Sequence, residues 1–216
     1  LRDVLGHRED LLLELHVEGG HLTLLEHLLA RALAGGVAHL LVGHRLRPDV
    51  LAARDLRLVV EHLARATRAG RGVVAMIGGH VIKTGLGPLL GELVSRGVIS
   101  HVAMNGAAAI HDYEIAAFGG TSEDVEAGLA DGTFGMVEET GAEMNAAVAA
   151  AARREIGLGE GIADALGGRG DLAGPEASLM LACREHGAGL TVHPAIGADS
   201  IHQHPAFDGA ALGATA

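Results

Sequence analysis

The sequence contains few aromatic residues, no tryptophan and an excess of negative charge. Aromatic residues make up 2% of the 216 positions, which argues against a platform on which nucleobases could stack. Lys and Arg together number 16 against 27 Asp and Glu, giving a formal net charge of −11. This acidic balance argues against binding to a phosphate backbone. We therefore expect no nucleic-acid partner.

Cysteine and long apolar runs are also scarce. Cys183 is the only cysteine, so the chain cannot form an internal disulfide, and a reducing cytoplasm fits best. We find no cleavable leader and no apolar run near the length of a membrane helix, so we expect no membrane partner. Because the chain begins with Leu1 and stops in GAALGATA, we interpret it as a fragment of a cytoplasmic α/β protein.

Apolar spacing and punctuating residues predict several helices. Gly70 is the expected C-cap of one helix, Pro88 suits the first turn of another that ends at Gly97, and Thr121 or Ser122 is the expected N-cap of a third. The segment 157–175 is rich in glycine and is expected to be a mobile connection, whereas 37–43 fits either a strand or a helix. The predicted helices are 22–33, 55–70, 87–97, 107–118, 122–130, 136–156 and 175–187.

Three short apolar runs predict strands near 72–77, 98–104 and 189–193. The first run is bounded by glycines and is expected to be buried on both faces. Strand, helix and strand follow within about thirty residues, the size of a βαβ unit, which predicts a parallel sheet. The loops after these strands would share one edge, where ligands bind in open α/β sheets.

The loop after the first strand, GGHVIKTGLG, contains Lys83, the only lysine. Its glycines would let backbone N–H groups approach an anion, and the compact ammonium group of Lys83 suits a pyrophosphate. The loop matches neither phosphate-binding consensus, because Ile82 precedes Lys83 and Leu90 takes the place of a third glycine. The alternative is a plain turn with a solvated lysine, formed by Gly78, Gly79 and Gly85.

Polar residues follow the second strand in NGAAAIHDYE. Asn105 and Gly106 would end the strand, and His111, Asp112 and Glu114 lie within one helical turn. His111 is a candidate general base, since a histidine near its unperturbed pKa accepts protons at cytoplasmic pH. The alternative is a solvated polar cluster at the start of a helix.

The loop after the third strand crowds polar residues into HPAIGADSIHQHPAFDG. His193, Asp199, His202 and His204 could bind a metal, although the chain has 14 histidines and the spacing is not diagnostic. We expect His193 and Asp199 to converge with His111 and Asp112 on one substrate pocket, in which the two aspartates hold a cationic amine.

Together, GGHVIKTGLGPLLGELVSRGVISHVAMNGAAAIHDYEIA, TSEDVEAGLADGTFGMVEETG and VHPAIGADSIHQHP resemble the deoxyhypusine synthase-like family, in its bacterial branch of uncertain activity. The resemblance covers about residues 50–216 and implies a Rossmann-like parallel sheet flanked by helices, bound NAD and a homotetramer. Residues 51–216 would form the NAD-binding α/β domain, truncated at its C-terminal end, after an unrecognised helical segment, 1–50. Enzymes of this family are NAD-dependent transferases. They oxidise spermidine and pass its aminobutyl group, through an enzyme lysine imine, to a protein lysine acceptor.

The resemblance places the family's first NAD loop on residues 79–84, its second NAD segment on 105–107 and its acidic substrate stretch near 110–112. Combined with the loops above, it gives these cofactor-binding residues: Gly78, Gly79, His80, Lys83, Thr84, Gly85, Asn105, Gly106 and Asp199. The candidate catalytic residues are His111, Asp112 and His193. The candidate substrate-binding residues are Glu114, His202 and His204.

Two departures qualify the resemblance. The family's acidic pair has become Ile110 and His111, and its imine-forming lysine lies on a strand downstream of the last residue here. We therefore expect NAD-dependent oxidation of a small amine or polyamine followed by aminobutyl transfer, rather than deoxyhypusine synthesis by this chain alone. The alternatives are an NAD-dependent amino-acid lyase of related fold, a metal-dependent hydrolase using the cluster at 193–204, and a non-catalytic nucleotide-binding module.

Overall fold

The computed structural model describes residues 53–121, 125–133 and 137–216. The chain divides into two compact units, Leu1–Arg71 and Gly72–Ala216. In the first unit the described part is helix α1, Ala53–Arg68, which ends at Gly70 as predicted, with a φ of 62°. The predicted helix at 22–33 and the segment 37–43 lie outside the described residues, and the predicted division at residue 50 stays a prediction.

The second unit is a mixed α/β structure with a small parallel sheet flanked by helices. Its strands are β1 Val74–Ile77, β2 His101–Asn105 and β3 Gly189–His193. Its helices are α2 Gly79–Lys83, α3 Gly87–Ser95, α4 Gly106–Phe118, α5 Val125–Asp131, α6 Glu138–Arg154, α7 Leu158–Gly167, α8 Leu179–His186 and α9 Gly209–Thr215, with short 3-10 turns at Pro175–Ala177 and Ser200–Gln203. None of the helices in the described ranges combines the length and the apolar character needed to cross a membrane.

The three strands are parallel and lie in the order β1–β2–β3, which confirms the predicted sheet. Val74 is opposite His101, which is opposite Gly189 on β3. At the other end of the sheet, Asn105 is opposite His193. The carboxyl ends of the strands therefore meet at one edge, as expected.

Strand β1 is not buried on both faces, and that prediction was wrong. The side chains of Val74 and Met76 are 59% and 83% exposed, although they belong to an apolar run. Right-handed crossovers that proceed in one direction across a parallel sheet place their connecting helices on the same face. In the second unit this arrangement leaves one side of the edge strand β1 open.

Proline, asparagine and glycine residues mark the ends of the helices next to the sheet. Pro88 lies in the first turn of α3, and Gly97 ends that helix with a φ of 69°. Asn105 caps α4 by accepting a hydrogen bond from the backbone N–H of Ala108, and Gly119 ends it with a φ of 80°. The core beneath them is formed by fully buried side chains that include Ile82, Val102, Met104, Leu166, Leu179 and Met180.

The glycine-rich segment 157–175 is not a mobile connection, and this expectation was also wrong. Residues 158–167 form helix α7, whose glycines permit close contacts. A Cβ at Gly159 would lie 2.8 Å from the carbonyl oxygen of Leu190 on β3, and a Cβ at Gly161 would overlap Ala151 on α6. These glycines therefore bring α7 against its neighbours.

The remaining predicted helices differ from the observed ones by a few residues at their ends. The helix expected at 175–187 is interrupted at Ser178, whose hydroxyl caps α8 by accepting from the N–H of Leu181 at 3.1 Å. Helix α5 begins at Val125, after residues 122–124, which lie outside the described ranges. Thr121, one of its two expected caps, hydrogen-bonds to side chains of α4 instead.

We predict that Gly161→Ala lowers the free energy of unfolding by roughly 1–3 kcal/mol, because the added methyl forces α6 and α7 apart. Gly213→Ala is the matched control, since Gly213 also lies in a helix and a Cβ there meets no atom within 4 Å. The control should be neutral or stabilising by up to about 1 kcal/mol. Urea unfolding of the three proteins measures both values, and equal effects of the two substitutions would contradict the close contact.

Candidate functional site

The predicted site residues that follow β1 and β2 lie against one another at the carboxyl edge of the sheet. A Cβ at Gly78 would lie 3.5 Å from Nδ2 of Asn105. A Cβ at Gly79 would lie 3.0 Å from Cδ2 of His111 and 3.1 Å from Cβ of Ala107. A side chain at Gly79 would therefore crowd the first turns of α4, whereas one at Gly78 would make an ordinary contact.

The first of these loops is more ordered than its glycines suggested. It forms the short helix α2, which follows Gly78 without a side-chain cap. Thr84 ends the helix, and its hydroxyl donates to the carbonyl oxygen of His80 at 2.7 Å. Gly85 then turns the chain with a φ of 85°. Lys83, in the last turn of α2, is exposed.

Asp199, from the loop after β3, lies against the first residue of α4. Its Oδ2 atom accepts a hydrogen bond of 2.9 Å from the N–H of Ala195. Any Cβ at Gly106 would overlap this carboxylate. Asn105 and Asp199 therefore both lie at the start of α4, the end of a helix at which negative charge is favoured.

His111 lies one turn into α4, and its polar contacts are at the Nδ1 atom of its ring. Its Nδ1 atom lies 2.6 Å from the hydroxyl oxygen of Thr121 and 3.8 Å from Oε2 of Glu114. The Thr121 hydroxyl donates to the same Glu114 oxygen, and the Thr140 hydroxyl donates to the other one at 3.1 Å. His111 therefore belongs to a chain of hydrogen bonds that ends on a carboxylate.

Burial lowers the pKa of His111 below its ordinary value, and the positive charges of Lys83 and His80 act in the same direction. The carboxylate of Glu114 opposes them by favouring the imidazolium form. The net shift is downward, so His111 is neutral at pH 7 and able to accept a proton.

Asp112 does not belong to this site, although the sequence made it a candidate catalytic residue that holds an amine. Its carboxylate is fully buried and accepts hydrogen bonds from the Ser178 hydroxyl at 2.6 Å and from the N–H groups of Leu179 and Met180 at 2.8 and 3.0 Å. Burial raises its pKa, whereas these three bonds lower it. Asp112 is next to His111 in sequence but points into the core, where it satisfies the N-terminus of α8.

His193 ends β3 beside Asn105 and is exposed. Its Nε2 atom lies 3.0 Å from the Thr191 hydroxyl oxygen, which in turn lies 3.1 Å from Nε2 of His101. This row of three polar side chains crosses from β3 to β2. The register brings His193 to the same sheet edge as Asp199, while its convergence with His111 on one cleft stays a prediction.

The two other histidines of this loop have partners of their own. The N–H of Gly197 donates to Nδ1 of His202 at 3.2 Å. His204 is buried between Glu138, 3.2 Å from its Nε2, and the N–H of Ala206, 3.1 Å from its Nδ1. In the part of the chain that the structure describes, no group of three or more His, Cys, Asp and Glu could hold a metal ion. The hydrolase alternative therefore lacks its proposed set of metal ligands.

Sequence reasoning did not identify four polar residues that contact the predicted ones. Thr121 and Thr140 hold Glu114, while His101 and Thr191 extend from His193. Thr121 was noted only as a helix cap, and no spacing pattern joins it to His111, ten positions away. The contacts depend on the turn after Gly119 and on the packing of α6, which local patterns do not specify.

Comparison with known proteins finds no match for this chain among protein-family models, curated proteins or solved structures.

The position of Asp112 gives a prediction about stability. Asp112→Ala should lower the free energy of unfolding by roughly 2–4 kcal/mol, because one hydroxyl and two backbone N–H groups lose their buried acceptor. Asp112→Asn should cost less, since it keeps one acceptor oxygen. Glu185→Ala, at an exposed position of α8, is the control in urea unfolding. Unchanged stability in both Asp112 variants would contradict the structural role.

The electrostatics of His111 can be tested separately. Lys83→Ala should raise the pKa of His111, because it removes one of the positive charges that lower it. Lys83→Arg keeps the charge and should leave the titration close to that of the wild type. A proton NMR titration of the histidine ring signals measures the shift. An identical His111 titration in the Ala variant would show that the two groups do not interact.

Proposed function

We propose that this chain is a Rossmann-like, NAD-binding domain of the deoxyhypusine synthase-like type that oxidises a small amine. The observation that supports this most is a neutral histidine, His111, beside the two loops that follow β1 and β2. In open parallel sheets this edge is where nucleotides and substrates bind. The acidic chain and its Asp199 carboxylate suit a cationic substrate better than an anionic one.

The residues of the first loop fit a phosphate-bearing cofactor. Gly78 and Gly79 carry no side chain over the start of α2, that start has no side-chain cap, and Lys83 is exposed nearby. The start of α4 suits a neutral or positive part of a ligand, because the carboxylate of Asp199 already lies there. We therefore assign the pyrophosphate contact to the loop of Lys83, and ribose or nicotinamide contacts to Asn105, Gly106 and Asp199.

The chain's own residues then have simple tasks. Bound NAD would supply the hydride acceptor for the carbon next to the substrate nitrogen. His111 takes a proton from the substrate ammonium at Nε2, and Asp199 holds the cationic nitrogen. Loss of that proton and of one hydride would convert the ammonium group to an iminium ion, the protonated form of the imine, whose carbon is electrophilic.

The imine can react in two ways, by transfer to a second amine or by elimination, and we favour transfer. The carbon can be attacked by a second amine, such as a protein lysine or a polyamine, with release of the first amine. Return of the hydride to the new imine would then complete aminobutyl transfer. Elimination instead would make the protein an amino-acid lyase. The proposal includes a homotetramer, as the resemblance implies, and a cytoplasmic location, which the single cysteine favours.

Cofactor binding tests the first step. We expect micromolar binding of NAD in titration calorimetry. Lys83→Ala should weaken it by about 1–3 kcal/mol, the value of a charge-assisted contact. Arg153→Ala, at an exposed position at the end of α6, is the control and should bind like the wild type. Equal binding by the Lys83 variant would remove Lys83 from the site, and no binding by the wild type would contradict the proposal.

Turnover tests the second step. NADH absorbance should rise when spermidine, putrescine or ornithine is offered with NAD. A preference for spermidine or putrescine would indicate a transferase, and a preference for ornithine would indicate an amino-acid lyase. His111→Gln should reduce the rate by about 10²–10⁴-fold, the usual value of a general base. His186→Gln, on the exposed end of α8, is the matched control. Full activity in the His111 variant would exclude it as the base.

A further inference from the structure

The hydroxyl group of Thr121 sits between the imidazole of His111 and the carboxylate of Glu114. The helix ends at Gly119 in the left-handed conformation, and this turn returns the chain so that Thr121 reaches side chains of α4. Its oxygen lies 2.6 Å from Nδ1 of His111 and donates its proton to Oε2 of Glu114. Thr121 is partly buried, so water does not freely replace these contacts.

The direction of these bonds decides which ring nitrogen carries the proton. A hydroxyl has one hydrogen, and here Glu114 receives it. The Thr121 oxygen can then only accept from His111, so Nδ1 must be the protonated nitrogen. Thr140 donates to the other oxygen of Glu114, which leaves this carboxylate as an acceptor on both sides.

We propose that Thr121 is a positioning residue that, together with Glu114, fixes His111 in the Nδ1–H tautomer and leaves Nε2 as its proton acceptor. This inference rests on the proposed role of His111 as the base. The bond at Nδ1 also sets the rotation of the ring, so that Cδ2 lies beside Gly79. Within the described ranges, the hydrogen bond of the His111 ring is the one at Nδ1.

The charged groups around the ring are consistent with this arrangement. Glu114, on the same helix, favours the protonated ring, whereas Lys83 and His80 on α2 oppose it. Glu114 acts at the Nδ1 side, 3.8 Å away. When His111 accepts a proton at Nε2, Nδ1 can keep its bond to Thr121, and the carboxylate of Glu114 favours the charged ring.

The test is the tautomer of His111, read from long-range proton–nitrogen correlation spectra of the free protein. The wild type should show a protonated Nδ1 and an unprotonated Nε2 at neutral pH. Thr121→Val replaces the hydroxyl by a methyl of similar size and should shift the population towards the Nε2–H form. Thr121→Ser keeps the hydroxyl and should restore the wild-type spectrum.

Glu114→Gln provides a second route if the valine variant does not fold. The glutamine amide can donate to Thr121, which then donates its own proton to Nδ1, so the Nε2–H tautomer should become the major one. An Nε2–H tautomer in the wild type, or an unchanged tautomer in a folded Thr121→Val or Glu114→Gln variant, would overturn the proposal. The spectra need neither NAD nor an amine, so their result does not depend on whether the proposed activity is found.

Discussion

The buried carboxylate of Asp112 is the interaction on which the candidate site depends. It joins the middle of α4 to the start of α8 through one hydroxyl and two backbone N–H groups. Because a helix turns about 100° per residue, fixing Asp112 towards the core also fixes where its neighbours point. His111 and Glu114, three positions apart, share a different face, on which they meet Thr121. One bonded group in the core thus sets the orientation of the groups at the edge.

Close packing by glycine is the second constraint. Gly79 lets α2 touch α4, and Gly106 leaves space for the carboxylate of Asp199. This packing brings Lys83 and His80 of α2 close enough to His111 to lower its pKa. The carboxylate of Glu114 acts in the opposite direction and limits the shift. A histidine in such surroundings is neutral at pH 7 and can accept a proton, which suits a role in proton transfer.

Much of this architecture is readable in the sequence, because the relevant signals are local. The apolar runs, the order of strand and helix, and the glycines that end α1 and α3 all act over a few residues. The parallel sheet and the meeting of the first two loops followed from them. Asp112 shows where prediction from local patterns fails. It is next to His111 in one polar cluster, and the sequence does not indicate which of the two side chains faces the core. Thr121 could not be assigned to the site, because its contacts depend on the turn after Gly119. The glycines of α7 contact residues that are distant in sequence, which local patterns do not reveal either.

The most direct test of the account is a map of amide chemical-shift changes on adding NAD to the isotopically labelled protein. The account predicts saturable changes at residues 78–85 and 105–107 and at Asp199, with little change in α6 and α9. Changes confined to other surfaces, or none at millimolar NAD, would contradict the assignment of a nucleotide site to the carboxyl edge of this sheet.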